Sequence, residues 1–162
     1  MVLWVLRFRA ELENVESITF PGTMRWYLDV KHSTGDEIRE RIDCSSVDSF
    51  AIPNSRGTCN FCVRWEGTKQ TSTLNVKQVA GLTRAYTNDA MPELVPIVAF
   101  ECRGLEPIKW HPSNECSLKT QSGQSFHNVD LSEDWCDYDM KKNIPIGVYK
   151  VEYDFQCLKG YS

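Results

Sequence analysis

Long runs of any one kind are missing from this sequence. No stretch of Lys and Arg exceeds Lys141-Lys142, and 22 acidic residues against 18 basic ones leave a formal net charge of -4. Duplex nucleic acid and anionic lipid both select for dense positive charge, so neither is an expected partner. The N-terminal apolar run, Val2 to Leu6, breaks at Arg7. A membrane-spanning helix needs about 20 apolar residues and a signal-peptide core about 7–15. The run therefore reads as a first strand; no membrane association is expected, and the chain is expected in the cytoplasm and possible in the nucleus. Sustained helical periodicity is absent too, as are a P-loop, an H-E-x-x-H pair and a nucleophile elbow.

The cysteines lack the pattern of a disulfide framework. Cys44, Cys59, Cys62, Cys102, Cys116, Cys136 and Cys157 are odd in number and widely scattered, which points to reduced thiols. Most fall in strand-like stretches, where a free cysteine packs as a small hydrophobe.

What is present is a folded domain. With 162 residues, 41% hydrophobic and 11% aromatic, the chain can bury a substantial core and is far too aromatic for a disordered segment. Leu3 to Ala10, Arg25 to Val30, Gly57 to Trp65, Thr71 to Val79, Val95 to Cys102 and Gly147 to Phe155 read as strands, rich in β-branched and aromatic residues. Turn chemistry separates them, as in Phe20-Pro21-Gly22, Ser33-Thr34-Gly35-Asp36 and Gln121-Ser122-Gly123. The expectation is an all-β sandwich or barrel forming one domain over residues 1–162. Phe8, Gly35 and Gly57 recur about 90 residues later as Phe100, Gly123 and Gly147. That spacing suggests two related β units, about 1–80 and 95–158, packed together.

Several blocks resemble the eukaryotic family of CXXC-motif-containing zinc-binding proteins, long catalogued as a domain of unknown function. They are Ala10-Glu11-Leu12-Glu13-Asn14-Val15, Arg25-Trp26-Tyr27-Leu28, Arg56-Gly57, Phe100 to Pro107, and Val129 to Trp135 running on to Asp137-Tyr138-Asp139. The resemblance spans nearly the whole chain. It implies an all-β fold, no established enzymatic activity, and one zinc held by four cysteines in two C-x-x-C pairs.

At the places where those pairs are expected, this sequence differs. The first pair, after Tyr27-Leu28-Asp29-Val30-Lys31, is replaced by His32 and Gly35. The second, counted from Arg56-Gly57, falls on Trp65 and Thr68. The nearby Cys59-Asn60-Phe61-Cys62 is out of register and lies in a strand-like run, where residues i and i+3 point to opposite faces. The reading is a family member whose zinc has been lost, with no cofactor, its two loops held by packing of Trp65 and the Ser33-Thr34-Gly35 turn. The alternative is a remodelled zinc site drawing on His32, Asp36, Cys59 and Cys62.

Two other chemistries are weaker. Thiol redox work at Cys59 and Cys62 would need a lowered thiol pKa and a thioredoxin-like βαβ pattern. A hydrolase could recruit His127 with Asp130, Glu133, Asp134, Asp137 and Asp139 for acid–base work or a divalent metal, but the order of acids is not that of a calcium loop. The same acidic stretch, read as an ordered loop or a helical turn, offers Asp134, Trp135, Asp137 and Tyr138 as a protein-contact surface. Arg103 is the remaining contact candidate, paired with a carboxylate of that loop, and Leu105-Glu106-Pro107 reads as a strand end turning a corner. The functional expectation is a non-catalytic adaptor or accessory protein, monomeric, with a protein partner.

Overall fold

The computed structural model describes residues 2–159, and within them the chain is built almost wholly of antiparallel strands, as its alternating patterns predict. The first half contributes β1 (Val2–Glu13), β2 (Val15–Thr19), β3 (Trp26–His32), β4 (Ile38–Cys44), the short β5 (Phe50–Ala51) and β6 (Thr58–Cys59), β7 (Phe61–Arg64) and β8 (Thr71–Lys77). After β9 (Tyr86–Thr87) and a 3-10 turn come β10 (Val95–Arg103), β11 (Leu105–His111), β12 (Cys116–Thr120), β13 (Ser125–Val129), β14 (Trp135–Asp139) and β15 (Ile144–Leu158). No helix among the described residues is long and apolar enough to cross a membrane.

Strands β14-β15-β1-β10-β8-β7 form a six-stranded sheet, beside the smaller sheets β11-β3-β4, β13-β12-β2-β9 and β5-β6. The order is palindromic. β1 pairs with β10 at the centre, the β14–β15 hairpin lies outside β1, and the β7–β8 hairpin lies outside β10. β2 crosses to pair with β12 and β11 crosses to pair with β3. The two crossings turn on single residues, Asn14 (φ 56°) and Gly104 (φ 77°), both in the left-handed region that Gly and Asn tolerate best.

That second corner corrects the sequence reading: the turn is at Gly104, and Pro107 lies inside β11, opposite Val30. β11 is an edge strand, where a sheet tolerates a residue without an N–H. The stretch from Asp130 to Asp139 is likewise neither helical turn nor plain loop but contains a strand, β14. The run from Gly57 to Trp65 is not one strand, because it breaks at Asn60.

Side chains of β1 show why the N-terminal run turns from continuous to alternating. Leu6, Phe8 and Ala10 are buried in alternation in the main core, while Leu3 and Val5 are buried in a second cluster against Val79, Leu82 and Leu158, so that the first part of the strand is apolar on both faces. The core between the sheets centres on edge-to-face aromatics. Phe8 meets Phe20 and Tyr86 with centroids at 5.3 and 5.2 Å, and Trp26 meets Phe100 at 5.9 Å. Such pairs add about 0.5–1.5 kcal/mol beyond area burial. The Tyr86 hydroxyl donates to the carbonyl of Ala10 at 3.0 Å, so its polar end is not stranded in the core.

Candidate functional site

Two hairpin tips meet at one end of the large sheet. After β3 the chain turns through residues 33–37, the N–H of Gly35 donating to the carbonyl of His32 at 3.4 Å and that of His32 to Glu37 at 3.0 Å. After β7 it turns through residues 65–70, the N–H of Thr68 donating to the carbonyl of Trp65 at 3.2 Å. The four positions 32, 35, 65 and 68 thus sit in two tight turns of the same i to i+3 kind, and the turns touch. The His32 imidazole stacks on the Trp65 indole with centroids 5.2 Å apart and planes inclined by 16°.

Several bonds hold this stack. The Trp65 indole N–H donates to the Ser72 hydroxyl at 2.9 Å, and that hydroxyl donates to the Gly104 carbonyl at 3.0 Å. The Glu66 N–H reaches across to the Glu37 carboxylate at 3.1 Å, and the Arg39 guanidinium stands 5.7 Å from the Trp65 centroid. Glu37, bonded first to Arg39 and then to the Glu66 N–H, is held below its ordinary carboxylate pKa. Trp65 itself is buried.

These are the positions to which the family resemblance assigns its four zinc ligands, and the donors found there do not fit that ion. Tetrahedral zinc takes thiolates, imidazoles or carboxylates. The four residues supply one imidazole, one hydroxyl already donating to the Trp65 carbonyl at 3.0 Å, an indole and a glycine with no side chain. The space a side chain at Gly35 would need is filled by the His32 ring, whose Nδ1 lies 2.7 Å from a Cβ built there.

The alternative ligand set does not assemble either. Among the described residues no three His, Cys, Asp or Glu side chains converge, so His32 and Asp36 do not join Cys59 and Cys62. Yet those two cysteines are not on opposite faces, as an unbroken strand would have placed them. Asn60 kinks the chain between β6 and β7, its side chain donating to the Asp48 carbonyl at 2.8 Å and accepting the Val76 N–H at 2.7 Å. The kink brings Cys62 within reach of Cys59, whose thiol is pushed up to about 11 by burial first and by Cys62 second. All seven cysteines are free, with Cys44, Cys59, Cys102 and Cys116 buried and Cys136 exposed.

The acidic segment lies at the other end of β1. Trp135 pairs with Val148, which in turn faces Leu12, whereas Arg103 follows Cys102, which faces Val2. Arg103 therefore does not pair with the acidic segment; it lies beside His32 and Gly104 in a cleft. Trp135 is half-buried against Phe126, centroids 5.6 Å apart. Asp130 accepts the Ser132 N–H at 2.9 Å, Asp134 that of Lys150 at 2.9 Å, and Asp137 that of Tyr138 at 2.7 Å. Asp139 is buried and accepts from the Ser122 hydroxyl at 2.5 Å and the Lys141 N–H at 2.9 Å. His127 shares a side-chain hydrogen bond with the Ser117 hydroxyl at 3.0 Å.

Comparison with known proteins agrees with the residue-level resemblance. The family described as CXXC motif containing zinc binding protein, eukaryotic, matches residues 5–156. A Xenopus laevis protein of that name is 31% identical over 159 residues, 96% of this chain and 98% of its own, and a Homo sapiens one is 30% identical over 160 residues, 93% and 95%. A solved structure of a hypothetical protein from Plasmodium falciparum superposes with a TM-score of 0.89 at 33% identity, covering 96% of this chain and all of that one.

Proposed function

The chain belongs to the eukaryotic CXXC motif containing zinc binding protein family, and from that premise we propose that it is a zinc-free, non-catalytic adaptor that docks another protein on the β14 edge. The observation that carries this reading is the character of that edge. β14 is an outer strand of the six-stranded sheet, with main-chain groups open to pairing. Beside it Tyr138 is 40% exposed and Met140 is 76% exposed, flanked by the exposed carboxylates of Asp134 and Asp137. An aromatic and a flexible thioether ringed by charge match the anatomy of a contact patch.

Support for a non-catalytic role comes from the acids themselves. Asp130, Asp134, Asp137 and Asp139 each accept a main-chain N–H, which is the use of carboxylates in building turns rather than in moving protons. Support for the absence of zinc comes from the His32–Trp65 stack, which occupies the meeting point of the two turns. The reading places the adaptor in the cytoplasm, working as a monomer with reduced thiols.

Two measurements test it. Protein purified without a metal-affinity tag should carry less than about a tenth of an equivalent of zinc; one zinc per chain would sink the zinc-free reading. Cross-linking from a benzophenone placed at Ser132 should trap one dominant partner, and Tyr138→Ala with Met140→Glu should lose it while the melting temperature stays put. An unchanged cross-linking pattern would remove β14 as the docking edge.

A further inference from the structure

The cleft between the two hairpin tips has a second property. It measures about 500 Å³, and its walls include His32, Lys69 and Arg103 together with the hydroxyls of Thr34, Thr68 and Thr71. No carboxylate lines it. On a chain of net charge -4, a concavity whose only formal charges are those of Lys69 and Arg103, with hydroxyls, the Gln70 amide and the His32 ring beside them, focuses positive potential inward.

We propose that this cleft is an oxyanion site that takes a phosphate ester. Among the described residues Lys69 and Arg103 form no ion pair within 4.0 Å; of the neighbouring acids Glu37 binds Arg39 at 2.9 Å and Glu106 lies 3.9 Å from Lys31, while Asp36 and Glu66 on the two turns also stand beyond that distance from either cleft cation. Glu101, two residues before Arg103, shares an adjoining cleft with it but lies beyond ion-pair distance. The cations are therefore available to a ligand. A guanidinium fork, an ammonium and the Thr71 hydroxyl lining one space suit a tetrahedral oxyanion, the fork binding two oxygens at once, while the Thr68 and Ser72 hydroxyls already donate to the Trp65 and Gly104 carbonyls. The Arg103–Gly104 corner sets this up: Gly104 (φ 77°) lets the chain pass so close to Ser72 that a Cβ there would lie 2.5 Å from its hydroxyl, which brings β10 and Arg103 against the β7–β8 tip.

The inference rests on the zinc-free reading of the same turns. Its test is titration of isotope-labelled protein with inorganic phosphate, followed by amide shifts. Saturable shifts confined to Thr34, Thr68, Lys69 and Gly104 are expected. Arg103→Gln should weaken binding at least about tenfold, Lys69→Gln should weaken it as well, and Lys119→Gln on β12 should not. Shifts that never saturate, or an affinity undiminished in both cleft variants, would overturn the proposal. A phosphoserine peptide that binds tighter than inorganic phosphate places the ester on a protein, and a weaker one places it on a small molecule. An equal response to the unphosphorylated peptide overturns the site. Zinc analysis of the same sample separates the failures, since a zinc-loaded protein that still binds phosphate refutes only the zinc-free premise.

Discussion

His32 lies flat on Trp65, ring planes 16° apart, at the point where the β3–β4 and β7–β8 hairpins meet. In the palindromic strand order the corresponding meeting point is that of the β12–β13 and β14–β15 hairpins, where Ser122 donates to the buried carboxylate of Asp139 at 2.5 Å. One pair of tips is clamped by stacked rings, the other by a polar anchor. Each device closes two loops that would otherwise pay for their ordering with no contact in return.

The ring clamp has a measurable worth. Trp65→Ala removes a buried indole, its bond to Ser72 and the stack together, so a loss of about 3–5 kcal/mol is expected in urea unfolding. His32→Ala removes only the stacked partner and should cost about 0.5–1.5 kcal/mol. No measurable cost in His32→Ala would mean that Trp65 is held by the core alone.

Turn geometry at positions 32, 35, 65 and 68 supports a sharper expectation. Replacing all four by cysteine, as His32→Cys, Gly35→Cys, Trp65→Cys and Thr68→Cys, sets two thiol pairs in touching tight turns and removes the ring that crowds Gly35. The variant should take up one zinc per chain and melt lower in chelator, while the parent protein's melting point ignores the chelator. A variant that folds yet binds no zinc would show that the turns are not in register for four ligands.

Thiol accessibility should follow burial. Cys136 should react first with maleimide, because it alone among the seven is exposed. Cys44 and Cys116 are pushed up to about 12, in both by burial, and burial raises Cys102 as well. These three should stay unlabelled at pH 8 until the chain unfolds, as read by peptide mass spectrometry. Prompt labelling of Cys102 would contradict the central position of β10.

Much of this architecture is legible in the sequence, and the gaps have physical causes. β3 and the second part of β1 announce themselves because one face is buried, which forces a period of two, and β10 because burial on both faces makes it a short continuous apolar run. β4, with Arg39, Glu40 and Arg41 in its middle, does not: it is an edge strand, where charge blunts unwanted pairing and erases the alternation. The positions of the two turns can be counted from Arg25-Trp26-Tyr27 and Arg56-Gly57, yet the kink at Asn60 cannot, since it depends on bonds to Asp48 and Val76 from distant segments. Nor does composition single out Asp139 among its acidic neighbours; only the approach of the β12–β13 tip buries it.

Asp139 therefore offers the clearest pH linkage. Its carboxylate is held below the ordinary value chiefly by the Ser122 hydroxyl, whose bond outweighs the opposing effect of burial, with the Lys141 and Lys142 N–H groups adding to it. A lowered folded-state pKa means that the unfolded chain takes up the proton first, so the contribution is complete above the unfolded carboxylate's pKa and is lost as pH falls through the folded value. In the parent protein that loss belongs to the region below about pH 4. Asp139→Asn keeps the shape but not the charge, and cannot accept from Ser122 and both main-chain donors as strongly. It should melt lower than the parent at pH 7, with the gap narrowing as both are acidified, because only the parent still has a carboxylate to protonate. Parallel melting curves from pH 7 to pH 3 would show that the Asp139 anchor holds through its geometry and not its charge.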